Sequence, residues 1–131
     1  MSEENVELVR DGYDDFNSGN IPGLIARLAD DVEWVEPGGG NAPSGTFRGP
    51  DSVANDVFPS VAENSDEFSC KAESARDEGD TVIVDARFAG RSKSGTDLDV
   101  AAEHVWQIQD GKVTEFENKL GDPDGWAAAW S

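Results

Sequence analysis

Two periodicities divide the chain. Near the N-terminus apolar residues recur at three- and four-residue spacing; in the second half they alternate with polar ones. Val6, Val9, Tyr13 and Phe16, with Leu8 beside them, predict a first helix over Glu3 to Asn17, its acidic start suiting the positive helix end. A second helix is predicted from Asn20 or Ile21, with Pro22 in its first turn and Leu24, Ile25 and Leu28 on its apolar side. Asp30-Asp31 breaks it before a strand over Val32 to Glu36. The stretch from Pro37 to Gly45 reads as a loop, either a mobile pocket rim or a plain linker. Val53, Val57, Phe58 and Val61 then mark a third helix, which Pro59 should kink or shorten.

Alternation predicts strands at Glu67 to Ala75, Thr81 to Phe88, Asp97 to Gln109 and Lys112 to Leu120, the last two joined by the hairpin signal Asp110-Gly111. Helices followed by a meander predict one α+β domain spanning residues 1–131, with helices on one sheet face. The tail 121–131 is expected to form a short helix, its two tryptophans covering the domain or a subunit boundary.

Charge changes this picture. The 131 residues include 28 acidic and 10 basic ones, a net charge of −18, spread along the chain. Such self-repulsion is tolerable in molar salt, where the Debye length falls to about 3 Å, so a halophilic, cytoplasmic setting is expected. With no basic stripe, neither nucleic acid nor a membrane is expected as partner. The N-terminus carries no signal-like segment, and no apolar run reaches spanning length. Cys70 stands alone and shares a strand face with Phe68 and Ala72, as a core filler would. A single histidine cannot supply the usual catalytic zinc set, and Asp30-Asp31 lacks calcium-loop spacing. No phosphate- or dinucleotide-binding motif is present. Neither metal nor cofactor is expected.

Two ionisable groups break the apolar pattern. His104 shares a strand face with Ala102, Trp106 and Ile108, and Glu36 shares one with Val32 and Trp34. Asn118, alternating with Phe116 and Leu120, is expected to point inward as well. Trp34, Phe58, Phe88 and Trp106 are the expected walls of a ligand pocket. Desolvation beside Trp34 should raise the Glu36 pKa toward neutrality, suiting it to take and return a proton. His104 would donate to a substrate oxygen, as imidazolium or from one nitrogen of the neutral ring. The plain alternative is that Glu36 and His104 bond to each other or to water.

Several segments, in order, resemble the SnoaL-like and ketosteroid isomerase-like members of the nuclear transport factor 2-like superfamily. They are Val9 to Asn20, Leu28 to Pro37, Gly45 to Gly49, His104 to Ile108, and Asp110 to Phe116. The resemblance implies an α+β, cystatin-like fold. In it a cone-like, strongly curved antiparallel or mixed sheet, with three helices from the N-terminal half, encloses a pocket. It also implies a homodimer across the outer sheet face. Glu36 falls where isomerase-like members carry their proton-shuttling carboxylate, and His104 near their acidic hydrogen-bond donor. Tyr13 lies near their first-helix tyrosine, about one residue closer to the following turn. These matches imply a cofactor-independent isomerase or cyclase that moves protons on a small apolar or aromatic carbonyl compound. The alternatives are a non-catalytic small-ligand binding domain and a structural dimerisation module, the latter supported by Ile83 and Val105 on outer strand faces.

Overall fold

The computed structural model describes residues 2–38 and 42–130. Helix α1 (Ser2–Asn17) buries Val9 and Tyr13, and α2 (Ile21–Ile25) follows, with the Asn20 side chain accepting from Gly23 N–H at 3.2 Å. Strand β1 (Leu28–Pro37) leads to β2 (Ser44–Arg48). A helical run then crosses α3 (Pro50–Ser52), a π turn (Val53–Val57) and α4 (Phe58–Glu63). Strands β3 (Ser65–Glu78), β4 (Thr81–Ser92), β5 (Asp97–Gln109) and β6 (Lys112–Leu120) complete the sheet, and α5 (Pro123–Ala129) closes the tail.

Pro59 explains the middle of this run. It has no N–H to return to the preceding turn, and its ring crowds the carbonyl four residues back. The turn widens instead: the N–H of Phe58 bonds the Val53 carbonyl, five residues back. The third helix is therefore continued through a π turn.

The six strands run in the order β2-β1-β6-β5-β4-β3, with β1 and β6 parallel and every other pair antiparallel. The hairpin predicted at Asp110-Gly111 is present, both residues having positive φ (53° and 76°), as the tight turn between twisted strands requires. Gly90 is needed for another reason. A Cβ there would lie 2.0 Å from the Glu67 carbonyl oxygen, so only glycine lets β3 pass this closely beside β4.

One expectation is overturned: the sheet is not a strongly curved cone. It is open, with β2 and β3 as edges that do not pair with one another. Curling a sheet requires repeated bulges or glycine kinks. The β4–β5 ladder keeps its register without a shift from Thr81–Gln107 to Arg91–Asp97, and the shifts in the β1–β6, β3–β4 and β5–β6 ladders do not bring the two edges together. The interior is closed by helices lying on one sheet face, α1 against β3 and α5 against β5. The mixed sheet and N-terminal helices of the nuclear transport factor 2-like arrangement are otherwise present.

Leu28 belongs to β1, not to the second helix, and the expected loop ends early, Ser44 and Gly45 opening an edge strand that runs to Arg48. Both strands of the β3–β4 hairpin extend beyond their predicted ends. Part of the expected loop, residues 39–41, lies outside the described residues.

Candidate active site

The register of the sheet assembles the site. His104 on β5 lies directly opposite Asn118 on β6, Trp106 opposite Phe116, and Phe116 in turn beside Trp34 on β1. Their side chains share the face toward the helices, where α1 brings Tyr13 and α4 brings Phe58. Together they border a cavity of about 70 Å³, with Glu36 and Phe88 also on its wall. All eight residues singled out in the sequence thus meet around one space. A single water needs roughly 10–15 Å³ and a cavity that takes benzene about 150 Å³, so this one has room for a few waters, and a ring would need its walls to give.

Ring packing holds the walls. Trp34 stacks on Phe116 with centroids 4.0 Å apart and meets Trp106 edge-on at 5.7 Å, while Phe88 lies 5.3 Å from the imidazole. Cys70, Phe68, Phe116 and Trp126 also border the cavity, although none was singled out as a site residue. Phe68 and Cys70 were legible as one inward strand face, as was Phe116 beside Asn118. Trp126 was not, because its place depends on how the tail folds back.

A chain of polar contacts fixes His104. Trp106 Nε1 donates to the Tyr13 hydroxyl at 3.0 Å, and that hydroxyl lies 2.5 Å from His104 Nδ1. An indole nitrogen only donates, so the phenol oxygen accepts there and directs its own proton to Nδ1. From this network we assign the imidazole proton to Nε2. The ring is 2% exposed, and burial lowers its pKa to about 3, the Asn118 amide opposing the shift. His104 is therefore neutral at physiological pH. Burial also raises the Tyr13 phenol well above its ordinary value.

Glu36 is held separately. Trp34 Nε1 donates to Oε2 at 2.6 Å and Asn118 Nδ2 to Oε1 at 3.2 Å. The residue is half-buried overall, but its carboxyl group turns inward. Desolvation raises its pKa to about 7, against the opposing pull of those two bonds. Burial, and then the charge of Glu36, push the Cys70 thiol up in turn, so it is no ready nucleophile. Glu36 and His104 do not bond to each other, which removes one of the two forms of the plain alternative; Asn118 stands between them, bonded to the first and opposite the second.

His104 Nε2 and Asn118 Oδ1, a donor and an acceptor on cross-strand partners, meet no partner at full hydrogen-bond geometry among the described residues, yet the Asn118 side chain holds the imidazole pKa up as a weakly bonded acceptor would. Among those residues no three His, Cys, Asp or Glu side chains converge as metal ligands would, and no helix is long and apolar enough to cross a membrane. The arrangement can therefore offer a ligand an apolar space walled by aromatic rings, a carboxyl group poised near neutrality, and a neutral N–H donor.

Residues 9–116 match a family model described as the SnoaL-like domain. Among solved structures, the chain is similar to a nuclear transport factor 2-like protein of unknown function from Burkholderia pseudomallei. The two share 26% identity and a TM-score of 0.90, over 100% of this chain and 99% of that one. It is also similar to TerC, co-crystallised with polyporic acid, at 26% identity and a TM-score of 0.81 over 89% of this chain and 91% of that one. A protein from Jannaschia described as a candidate SnoaL-like polyketide cyclase shares the fold (20% identity, TM-score 0.80, 100% and 94% covered). No protein of curated function matches the sequence.

Proposed function

This chain belongs to the SnoaL-like family of the nuclear transport factor 2-like superfamily, and from that premise we propose that it is a cofactor-independent proton-transfer enzyme of the isomerase or cyclase type. Its substrate in this reading is a small, mostly apolar carbonyl compound held among the aromatic rings. Glu36 is the base. With a pKa of about 7 it removes a proton from carbon and returns one near neutral pH, where an ordinary carboxylate is too weak a base. His104 donates from Nε2 to the carbonyl oxygen, on which negative charge grows as the C–H bond breaks. Tyr13 and Trp106 position it, since their bonds leave Nδ1 as acceptor and Nε2 as donor.

The observation that supports this most is the pairing of two opposite habits in one cavity. Its carboxyl group is lifted to the working pH and its imidazole is kept neutral, each next to an indole. TerC, with its co-crystallised polyporic acid, and the candidate cyclase from Jannaschia make an organic ligand for this cavity a natural expectation.

The test needs no knowledge of the natural substrate. Single-ring aryl ketones such as acetophenone are incubated with the protein in D₂O, and loss of the α-proton signal is followed by NMR. Exchange above the buffer rate is expected, rising as Glu36 ionises through about pH 7, and falling by about 10³ in Glu36→Gln. Ketones that bind without any accelerated exchange would leave a non-catalytic binding domain as the better reading.

A further inference from the structure

The polar contacts of the site form one chain, and the chain has a direction. Trp106 Nε1 donates to the Tyr13 hydroxyl, which donates to His104 Nδ1. The proton on His104 Nε2 faces Asn118 across the β5–β6 ladder, and Asn118 Nδ2 donates to Glu36 Oε1. The amide holds the imidazole pKa up and the carboxyl pKa down, as it does with its oxygen on the histidine side and its nitrogen on the glutamate side. Every donor therefore points the same way, from the indole of Trp106 to the carboxyl group of Glu36. The link from Nε2 to Asn118 is the loosest, so a ligand oxygen can take that proton without turning the amide.

The direction originates at Tyr13. Because an indole nitrogen only donates, the phenol oxygen accepts from Trp106 and sends its single proton to Nδ1. A neutral ring that accepts at Nδ1 carries its proton on Nε2. Asn118 then turns its oxygen to that proton and its NH₂ to Glu36. The other carboxyl oxygen accepts from Trp34 Nε1, so both oxygens face donors and a protonated Glu36 finds no acceptor among them. With the imidazole proton on Nδ1 instead, the amide could turn over, offer Oδ1 to Glu36 and accept from its protonated form.

We infer that Tyr13 is a positioning residue for Glu36 as well as for His104: its hydroxyl, acting through His104 and Asn118, keeps donors on both carboxyl oxygens and so favours the ionised base. The other titratable groups bordering the cavity are Cys70 on β3 and His104 on β5, and with Tyr13 from α1 all three are neutral near pH 7. The π turn and α4 bring Val57, Phe58 and Val61, α2 and α5 bring Leu24 and Trp126, and β2 sets Gly45 opposite Glu36. A proton taken up at this cavity near neutrality therefore belongs to Glu36. The inference takes the role of Glu36 from the proton-transfer reading, but its test reads the carboxyl group directly.

The experiment follows the Glu36 side-chain carboxyl carbon by ¹³C NMR across a pH titration of the intact chain, its signal identified by its loss in Glu36→Gln. The unaltered protein is expected to titrate at about 7, and Tyr13→Phe about one pH unit higher. A phenol with a merely structural role would leave the midpoint in place. Asn118→Leu should raise the midpoint too, and adding Tyr13→Phe to it should move it no further, because the route is already cut. A Tyr13→Phe midpoint within about 0.3 pH units of the parent's would overturn the inference, as would a full further shift in the double variant. If Asn118→Leu does not fold, the Tyr13→Phe midpoint decides alone. If Tyr13→Phe does not fold, Trp106→Phe, which frees the hydroxyl to accept from the imidazole, must raise the midpoint, and no shift there overturns the inference. The outcomes separate from those of the exchange test. A raised midpoint without α-proton exchange strikes only the proton-transfer reading; exchange with an unmoved midpoint strikes only this one.

Discussion

The two faces of β5 use ionisable groups in opposite ways. Outward, Asp97, Asp99 and Glu103 meet Arg91 at 3.2 Å, Arg87 at 2.6 Å and Arg76 at 3.6 Å. All six side chains are well exposed. Inward, a residue further on, His104 has no charged partner and has lost its charge altogether. Exposed pairs are screened and contribute little to stability, whereas a buried group without a counter-charge moves its pKa instead. The outer face balances its charges; the inner face transforms the few it has. Only the second treatment makes chemistry available near pH 7.

The comparison is sharpened most at Glu36. Its folded pKa of about 7 exceeds the ordinary 4.5, so the folded state holds this proton more firmly than the unfolded one. Its contribution to stability is complete below about pH 4.5 and is lost as pH rises through 7. His104 runs the other way: with 6.5 lowered to about 3, its contribution is complete above 6.5 and lost as pH falls toward 3. Between pH 4.5 and 6.5 the two slopes oppose. Removing the carboxyl group in Glu36→Gln should therefore make the variant gain on the parent by about 3 kcal/mol between pH 4 and pH 8. Urea unfolding at the two pH values measures this. A difference that does not change with pH would show that the carboxyl group is not desolvated.

Tyr13→Phe comes next. It leaves Trp106 Nε1 without its acceptor and His104 Nδ1 without its donor, at a cost of about 1–3 kcal/mol in urea unfolding. It also frees the imidazole to put its proton on either nitrogen. The ¹⁵N shifts of the ring should move from a pure Nε2–H pattern toward a mixture. A variant retaining the pure pattern would break the link between the phenol and the imidazole.

The smallest effect is expected on the outer face. Arg87→Ala removes the contacts to Asp99 and Glu73, yet should leave the unfolding midpoint in molar salt unchanged, with only a slight loss at low salt. A large loss that persists in molar salt would mean that this face, too, is more than solvated charge.

The site was more legible in the sequence than the shape of the sheet around it. Alternation through β5, and through β6 from Phe116 onward, puts His104, Trp106, Phe116 and Asn118 on one face, although a register shift breaks it between Val113 and Phe116; Val32, Trp34 and Glu36 follow the same logic on β1. Parity says which side chains point inward, but not which of them touch. The contact between Tyr13 and His104 joins residues 91 positions apart and depends on where α1 settles against the sheet. β2 escaped because an edge strand of five residues with only Phe47 even half-buried has no alternation to detect. β4 was cut short at Phe88 because Gly90 reads as a turn residue, where in fact it permits close passage beside Glu67. The degree of curvature is a property of register and bulges across all six strands, and no single segment carries it.

An open sheet has two rims, and each is a row of backbone groups to which a stray strand could attach. On β3 the rim is interrupted twice, by register shifts between Ser65 and Glu67 and between Ala72 and Ser74, and it carries Asp66, Glu67, Glu73, Asp77 and Glu78. The kinks spoil a continuous template in any solvent, whereas the repulsion of the acids fades as ions are added. In brine, resistance to fibril-like stacking therefore falls to geometry. Straightening those two irregularities would expose the chain to self-association that its charge no longer prevents.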